Sequence, residues 1–525
     1  MLLGLASALP ALINCFLPWQ HPFGVPGQSD CLHFQARETS STPKRIAVVG
    51  AGTAGLSFLK VSQEYQREHN VNWEVVLYEQ RYDIGGVWYA VSFLQGLHPM
   101  CQYHKDLVAH YNLTELIHLR HNVTVARWLG NVSHGHWELT IQKPRKIPSV
   151  TPQNPTRYRR WNPEHELETI YQKFDYLIVA TGHNRYPHVD NFPGKGDWLS
   201  NSDPKSQFRR DIRHSMYFMG PQPYINRTVL IVGGGFSGMD IGNHLTPFVS
   251  KAYIARSAET TGDPSNHFLI PKPRLSHFDR DAIYFEDGSS VTDVDSVILA
   301  TGYLYIIPFL SAGDALTVDP NAKSRNTSHI HPPPPLPLTS NGKYIRPLYK
   351  HTMSLSSYFP PSSLFVLGLQ SGTPPALTDA AQAIFATRVI ADPSLVAGRI
   401  LLLRELEEEE ERLRRAGYDP DKQGHSPVDF DGRGKASSNF MDGLIDFLKR
   451  RNVTGLPLPG SGGRYVEDWR RRHDNFPGLI RMFFTWREIE KRGEGGKMVA
   501  GRRTEEDWIE LLDYLVAHPL PPTPI

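Results

Sequence analysis

With 525 residues the chain exceeds what one hydrophobic core ordinarily organises, so two or three domains are expected. Lysine plus arginine number 56 against 54 aspartate plus glutamate, and that balance excludes the basic field of a nucleic-acid binder. Cys15, Cys31 and Cys101 are the only cysteines and form no C-x-x-C, which excludes a zinc ribbon, a disulfide framework and the usual redox-active dithiol.

From Met1 to Ser29 there is no Asp, Glu, Lys or Arg, and residues 1–19, MLLGLASALPALINCFLPW, are strongly apolar. A secretory signal cut near ASA and an unstructured leader both remain open. No basic residue precedes the apolar run, and Pro10, Asn14 and Pro18 interrupt it. A spanning helix would want ~20 cleaner apolar residues, although membrane association through residues 1–19 is left open. Sequons at Asn112, Asn122, Asn131, Asn226, Asn326 and Asn452 favour a secretory route only weakly. Residues 1–43 are therefore set apart as an apolar leader or disordered tail, and the fold is expected to begin at Lys44.

Two pairs of motifs then organise the chain. RIAVVGAGTAG opens the first unit and FDYLIVATGH, Phe174–His183, closes it; TVLIVGGGFSG opens the second and VDSVILATGY, Val294–Tyr303, closes that. Each opener is a short apolar strand breaking into glycines and then a helical pattern. Each closer is an apolar strand ending in Ala-Thr-Gly. Strands apolar throughout, rather than alternating, are those of a parallel sheet buried on both faces. The expected fold is α/β, with two nested Rossmann-like dinucleotide-binding domains and a helical C-terminal extension.

A lone G-x-G-x-x-G is a weak signal, but Gly50, Gly52 and Gly55 stand between a strand and a helix. There the first glycine permits a tight turn, the second lets a pyrophosphate approach, and the third lets helix pack on sheet. WEVVLYE, Trp73–Glu79, is a second strand ending in an acid that can accept from a ribose diol, somewhat beyond the usual ~20 residues after the loop. The second loop repeats the glycines at Gly233, Gly235 and Gly238, with Ser237 as an extra donor. Its next strand, KAYIARS, ends in Arg256 rather than in an acid. A guanidinium can grip a 2′-phosphate that a carboxylate would repel, so NADPH is favoured over NADH at this loop; the alternative is an exposed surface arginine. One chain holding a flavin dinucleotide and a nicotinamide dinucleotide is equipped to pass hydride from NADPH to FAD.

The pieces between and after these motifs are read more coarsely. Lys143–Glu166 is proline-rich and polar, as a surface excursion is, and HPPPPLP, His331–Pro337, is an extended loop. LLLRELEEEEERLRRAG, Leu401–Gly417, is a charged helix with a glycine stop whose charge run is expected to be a solvated face. MDGLIDFLKRR and EDWIELLDYLVAH are helical in pattern and carry no catalytic signature.

After Glu79 the chain reads QRYDIGGVW, Gln80–Trp88. Gly85 and Gly86 suit a backbone passing close to a flavin, and Trp88 is either a wall for its ring or a core aromatic. The string E-x5-G-G-x-W resembles that of the flavin-containing monooxygenases. So does FRRDIRHSMYF, Phe208–Phe218, which is similar to the family's identifying stretch at Phe208, His214 and Phe218, with Arg210 where the family has glycine. ATGY followed by PFL, and LFVLGLQ, Leu364–Gln370, with Gln382 beyond, extend the resemblance over roughly Lys44–Arg399. Phe218, where the related Baeyer–Villiger enzymes have tryptophan, points to the N- and S-oxygenating branch.

The resemblance implies an FAD- and NADPH-dependent monooxygenase passing oxygen from a C4a-hydroperoxyflavin to an amine or thioether of a small molecule, with O2 as co-substrate. No metal and no catalytic side chain are implied. FAD contacts are expected from Gly50, Gly52, Gly55, Glu79, Gly86, Trp88 and Gln382. NADP contacts are expected from Gly233, Gly235, Ser237, Gly238, Arg256, Thr181 and His214. Expected domains are FAD-binding at 44–195 and 311–400, an inserted NADPH-binding domain at 200–310, and a mostly helical region at 401–525. The family carries an asparagine facing flavin and nicotinamide in a longer segment after its GGxW, and Tyr89–Tyr111 contains none. An uncoupled NADPH oxidase, or a flavoprotein that does not oxygenate, is accordingly the alternative. A pyridine nucleotide–disulfide reductase would share the double loop but need the absent dithiol.

Overall fold

The computed structural model describes residues 43–87, 99–145, 167–201, 207–256, 269–474, 482, 485–486 and 488–520. The leader, Trp88 and most of the proline-rich excursion lie outside the described residues. The chain forms two compact units. One comprises the chain up to His183, Tyr305–Phe476 and Arg502–Ile509; the other comprises Asn184–Leu304, Pro477–Gly501 and Glu510–Ile525. No helix among the described residues is long and apolar enough to cross a membrane.

The first unit opens with β1 (Lys44–Val49), α1 (Thr53–His69) and β2 (Trp73–Glu79). Next come α2 (Pro99–His110) and β3 (Ile117–Leu119). An antiparallel meander of β4 (Asn122–Gly130), β5 (Gly135–Pro144) and β6 (Leu167–Phe174) then leads into β7 (Tyr176–Val179). The second unit contributes β8 (Asp211–His214), β9 (Thr228–Val232), α3 (Phe236–Leu245), β10 (Lys251–Ala255), β11 (Leu269–Lys272) and β12 (Ser296–Leu299). Back in the first unit follow β13 (Leu348–Tyr349), β14 (Met353–Ser354), β15 (Leu364–Val366), α4 (Pro375–Ala391), α5 (Arg399–Arg415) and α6 (Ala436–Lys449).

The first sheet has the order β13-β14-β15-β7-β1-β2-β3, with β15, β7, β1, β2 and β3 parallel. Its alternation explains the continuous apolar run of β1. Ile46 and Val48 join one core with Phe58 and Leu59 of α1 and Phe385 of α4. Ala47 and Val49 join another with Trp137, Leu139 and Ile141 of the meander. Helices thus cover one face and a second sheet the other, so neither face meets water. The second unit repeats the plan in the order β11-β10-β9-β12-β8. Leu230 and Val232 pack with Trp198, Phe278 and Phe285, whereas Val229 and Ile231 pack with Met239, Ile241 and Leu245.

Two expectations need correction. The excursion after Lys143 begins later than composition suggested, since Lys143 and Pro144 still pair with Glu168 and Leu167 in the meander. The charged helix α5 is not merely a solvated face: Glu407 is 4% and Glu410 1% exposed. Arg346 donates to Glu410 through Nε at 2.7 Å and Nη2 at 3.1 Å, and the Tyr344 hydroxyl adds a third bond at 3.0 Å. Glu407 accepts from the backbone of Thr327 at 2.6 Å and Ser328 at 3.1 Å, and from the Ser328 hydroxyl at 2.5 Å. These carboxylates are fully partnered, which is the condition for burying them. They tie α5 to the rest of its unit.

Removing one partner strands the other. Glu410→Ala leaves Arg346 buried without its fork, and should lower stability by about 3–5 kcal/mol in urea unfolding followed by tryptophan fluorescence. A loss below about 0.5 kcal/mol, the level of an ordinary surface substitution, would refute the anchoring role.

Candidate functional site

The parallel registers bring the motif residues to one edge in each unit. Val49, Val179 and Val366 lie side by side as the last residues of β1, β7 and β15. The ladder continues past them: Gly50 N donates to Tyr78 O at 2.9 Å, Ala180 N to Val49 O at 2.9 Å, and Leu367 N to Val179 O at 2.8 Å. Gly50, Thr181 and Gly368 therefore emerge from adjacent strands at the carboxyl edge, where ligands of open α/β sheets bind. In the second unit Val232, Leu299 and His214 are aligned in the same way.

The first cradle is shaped by backbone contacts that exclude side chains. Gly50 has φ +110°, and a Cβ on it would stand 2.4 Å from the carbonyl oxygen of Ala180. A Cβ on Gly55 would stand 1.9 Å from the carbonyl oxygen of Gly50. Gly52, by contrast, is the N-cap of α1 with no side-chain cap, and its nearest neighbour is the Gly86 Cα, 3.6 Å from a built Cβ. The Gly85–Gly86 turn thus lies over the loop, fixed by Gly85 N donating to Ala51 O at 2.8 Å and by Arg81, whose Nη1 donates to Gly86 O. Glu79 is 6% exposed. Its Oε2 accepts from Ala51 N and its Oε1 from Arg81 N, each at 2.8 Å, so it holds the loop and each oxygen keeps a second lone pair for a ribose hydroxyl.

The second cradle repeats these distances. Gly233 has φ +114° and its Cβ would meet Ala300 O at 2.3 Å; a Cβ on Gly238 would meet Gly233 O at 1.9 Å. A Cβ on Gly235, the uncapped start of α3, would meet nothing within 4 Å. Ser237 is exposed in the first turn of that helix. Arg256 follows β10, its backbone N–H bonded to Lys272 O at 3.0 Å. Its Nη1 is buried with no hydrogen-bond partner among the described residues. Free N–H groups at an uncapped helix start, an open middle glycine and a guanidinium nitrogen without a partner among the described residues together fit an anionic dinucleotide carrying an extra phosphate.

Several expected contacts fall elsewhere. Gln382 is fully buried in α4 with both ends engaged: Oε1 accepts from Gly368 N at 2.9 Å and Nε2 donates to Thr352 Oγ1 at 2.8 Å. It braces the Gly368 turn. His214 is likewise consumed, because Nδ1 accepts from Met216 N at 3.1 Å and Nε2 lies 3.0 Å from Gly302 O. Burial pushes its pKa down, against the opposing pull of the Gly302 carbonyl, and the neutral ring clamps β8 to the Ala-Thr-Gly-Tyr turn. Thr181, expected beside the NADP loop, belongs to the first unit, its Cα 3.2 Å from a Cβ built on Gly50. It follows β7, which pairs with β1, so the sheet order sends it to the first cradle.

Arg210 has a local reason for replacing glycine. It is 5% exposed, stacks over Trp198 at 4.9 Å and donates Nη1 to Arg280 O at 2.9 Å. Phe218 stacks on Tyr224 with centroids 5.9 Å apart, so its ring packs within the second unit. Residues that pattern-reading missed include Arg81 and His104. The latter is fully buried on α2, with Nε2 3.1 Å from the Thr53 hydroxyl at the start of α1. Neither carries a sequence signal, since each acts through a neighbour that only the fold supplies.

Residues 44–267 match the family described as pyridine nucleotide-disulphide oxidoreductase. Among curated proteins, the thiol-specific monooxygenase of Saccharomyces cerevisiae is 26% identical over 305 residues, covering 53% of this chain and 65% of that protein. Flavin-containing monooxygenase FMO GS-OX-like 9 of Arabidopsis thaliana is 23% identical over 342 residues, covering 57% and 71% respectively. The matched stretch thus spans slightly less than two thirds of the yeast protein's own length. Among solved structures, S-allyl-L-cysteine S-oxygenase from Allium sativum superposes with a TM-score of 0.57 at 16% identity, covering 91% of this chain and 99% of that one. Tmm from Pelagibacter sp. strain HTCC7211 gives 0.51 at 18% identity, covering 77% and 90%.

Two glycine cradles of matching geometry, each on its own parallel sheet, define a two-dinucleotide oxidoreductase fold. Within that class the curated relatives it resembles are thiol-specific and flavin-containing monooxygenases.

The open and closed glycines respond differently to one methyl group. Gly235→Ala should keep the folded stability within about 0.5 kcal/mol while weakening NADPH binding at least about tenfold, because the methyl enters the pyrophosphate's path. Gly238→Ala should fail to fold or lose several kcal/mol through the clash with Gly233 O. Thermal melts beside nucleotide titrations check both; equal behaviour of the two variants would contradict the cradle geometry.

Proposed function

We propose that the protein is an FAD-dependent, NADPH- and O2-using monooxygenase acting on a soft nucleophile, a thioether, thiol or amine, in a small molecule. The observation that carries this reading is the contrast between two otherwise equivalent loops. One is backed by Glu79 at the end of its second strand, the other by Arg256. The carboxylate suits an unsubstituted ribose and the guanidinium a phosphorylated one. The substrate class follows the relatives, whose names refer to thiols, to trimethylamine and to the sulfur of S-allyl-L-cysteine.

FAD is assigned to Gly50, Gly52, Gly55, Glu79 and Gly86, with Thr181 at the same edge. NADPH is assigned to Gly233, Gly235, Ser237, Gly238 and Arg256. The bound flavin, once reduced, supplies the electrons that activate O2 for transfer. The chain's own work is positional. Uncapped helix starts offer N–H groups to the two pyrophosphates, the Gly85–Gly86 turn covers the first loop and keeps water from it, and His214 holds the turn at Gly302. No side-chain nucleophile is needed.

Arg256→Ala should raise the KM for NADPH about tenfold to a hundredfold, the value of a lost charged hydrogen bond of ~1.5–3 kcal/mol, and leave that for NADH unchanged. An unaltered NADPH/NADH ratio would show that Arg256 does not read the phosphate. Oxygenation itself is tested with labelled O2 and a thioether such as methyl aryl sulfide. The expected result is one labelled oxygen in the sulfoxide per NADPH consumed. Hydrogen peroxide equal to the NADPH consumed, with unlabelled thioether recovered, would instead identify an uncoupled oxidase.

A further inference from the structure

Where β15 ends, three pieces of the first unit meet in a small space. Gly368 turns with φ +73°, and a Cβ built on it would lie 3.2 Å from the Ala54 Cβ and 3.5 Å from Oδ1 of Asp379. Ala54 is the second residue of α1, two past Gly52, and Asp379 lies near the start of α4. Asp379 is 5% exposed. It makes no hydrogen bond or ion pair with any described residue; the Gly368 N–H beside it is already donated to Gln382. The adjoining Thr378 hydroxyl, on a residue 1% exposed, is also without a partner among the described residues. A buried carboxyl with no partner among the described residues therefore stands beside Gly368 and Ala54 at the first glycine loop, where buried polar groups are ordinarily paired.

The sheet order says which part of a ligand would reach them. Glu79, on β2, lies to one side of β1 and is the acceptor for an adenosine ribose. Gly368, beyond β7, lies to the other side. A dinucleotide fixed at Glu79 and crossing Gly52 brings its flavin-proximal half toward Gly368 and Asp379.

We propose that Asp379 binds the flavin dinucleotide as a carboxylic acid, donating its O–H to an oxygen of the ligand's phosphate–ribityl stretch. This rests on the reading that the first cradle holds FAD. A carboxylate there would face the pyrophosphate charge at close range, whereas an acid is a donor that phosphate or ribityl oxygens accept. Burial alone pushes its pKa up to about 8, so the group is already protonated at neutral pH. Titratable groups on the elements packed around it include His183, 3.2 Å from Gly368 O, Lys60 on α1, 3.7 Å from Glu64, Asp442 on α6, which accepts from Arg471 at 2.7 Å, and Tyr465, whose hydroxyl donates to Leu377 O at 3.3 Å. None of them acts electrostatically on Asp379, whose shift has desolvation as its one cause.

A bound anion raises the acid's pKa further, which links FAD affinity to the proton. The bound-state value lies above the free one, so affinity is fully present below about 8 and falls as pH rises through that range, by at most about tenfold per unit. The full-length chain, stripped of flavin, is titrated with FAD by flavin fluorescence from about pH 6 to about pH 10. Proton uptake at the alkaline end is measured by calorimetry in two buffers of different ionisation enthalpy. The expected result for the wild type is a flat dissociation constant that weakens above about 8, with up to one proton taken up per FAD. Asp379→Asn, which keeps a donor but cannot ionise, should bind FAD with no such slope. A wild-type profile flat throughout with no proton uptake, or an unchanged slope in Asp379→Asn, would overturn the proposal without touching the cofactor assignment. Failure of the wild type to bind FAD at any pH would overturn both.

Discussion

A carbonyl oxygen stands 1.9 Å from where a side chain would begin on Gly55, and the same distance separates Gly238 from the carbonyl of Gly233. Each helix is thereby pressed onto the end of its strand so closely that a methyl group cannot enter. This approach aims the uncapped start of the helix along the sheet edge. In the second unit it also leaves the middle glycine, Gly235, bordering open space, and makes an anion the natural occupant. The polar residues that distinguish one loop from the other, Glu79 and Arg256, then need only stand at the end of the neighbouring strand. The rest of each unit preserves that contact: two apolar cores clamp β1, two others clamp β9, and buried ion pairs keep α5 in place.

The two cradles divide their demands differently. In the first, the Gly85–Gly86 turn, Arg81 and Glu79 bond to one another and to Ala51, so the loop is braced by its own neighbourhood. In the second, a Cβ built on Gly235 meets no described atom within 4 Å, and Arg256 keeps a buried nitrogen without a partner among the described residues. A braced loop suits a cofactor held through many turnovers, and an open one suits a nucleotide that must arrive and leave.

What the residues revealed in advance follows from how local the cause is. The strands and glycine loops were legible because a run such as IAVVGAGTAG carries its apolar period, its break and its turn chemistry within a dozen positions. The burial of Glu407 and Glu410 was not, since their partners Ser328, Tyr344 and Arg346 arrive from a distant loop. His214 and Gln382 were drawn from motif positions as ligand contacts. In the fold their hydrogen-bonding capacity goes to Gly302 and Met216, and to Gly368 and Thr352, partners that no spacing rule names. Two Ala-Thr-Gly turns look alike in sequence, and only strand order shows that Thr181 stands at the edge of the first sheet, beside Gly50.

That strand order also bears on how the protein is made. β7 is translated early, yet its outer neighbour β15 appears only after the whole stretch Asn184–Leu304 has been synthesised. Throughout that interval a nascent chain on the ribosome carries a half-built sheet whose exposed backbone edge invites mispairing. The second unit has no such wait for its sheet, as its five strands lie within Asp211–Leu299. The second unit's sheet can form while the chain is still being synthesised, whereas the first unit's sheet waits for a late-arriving strand.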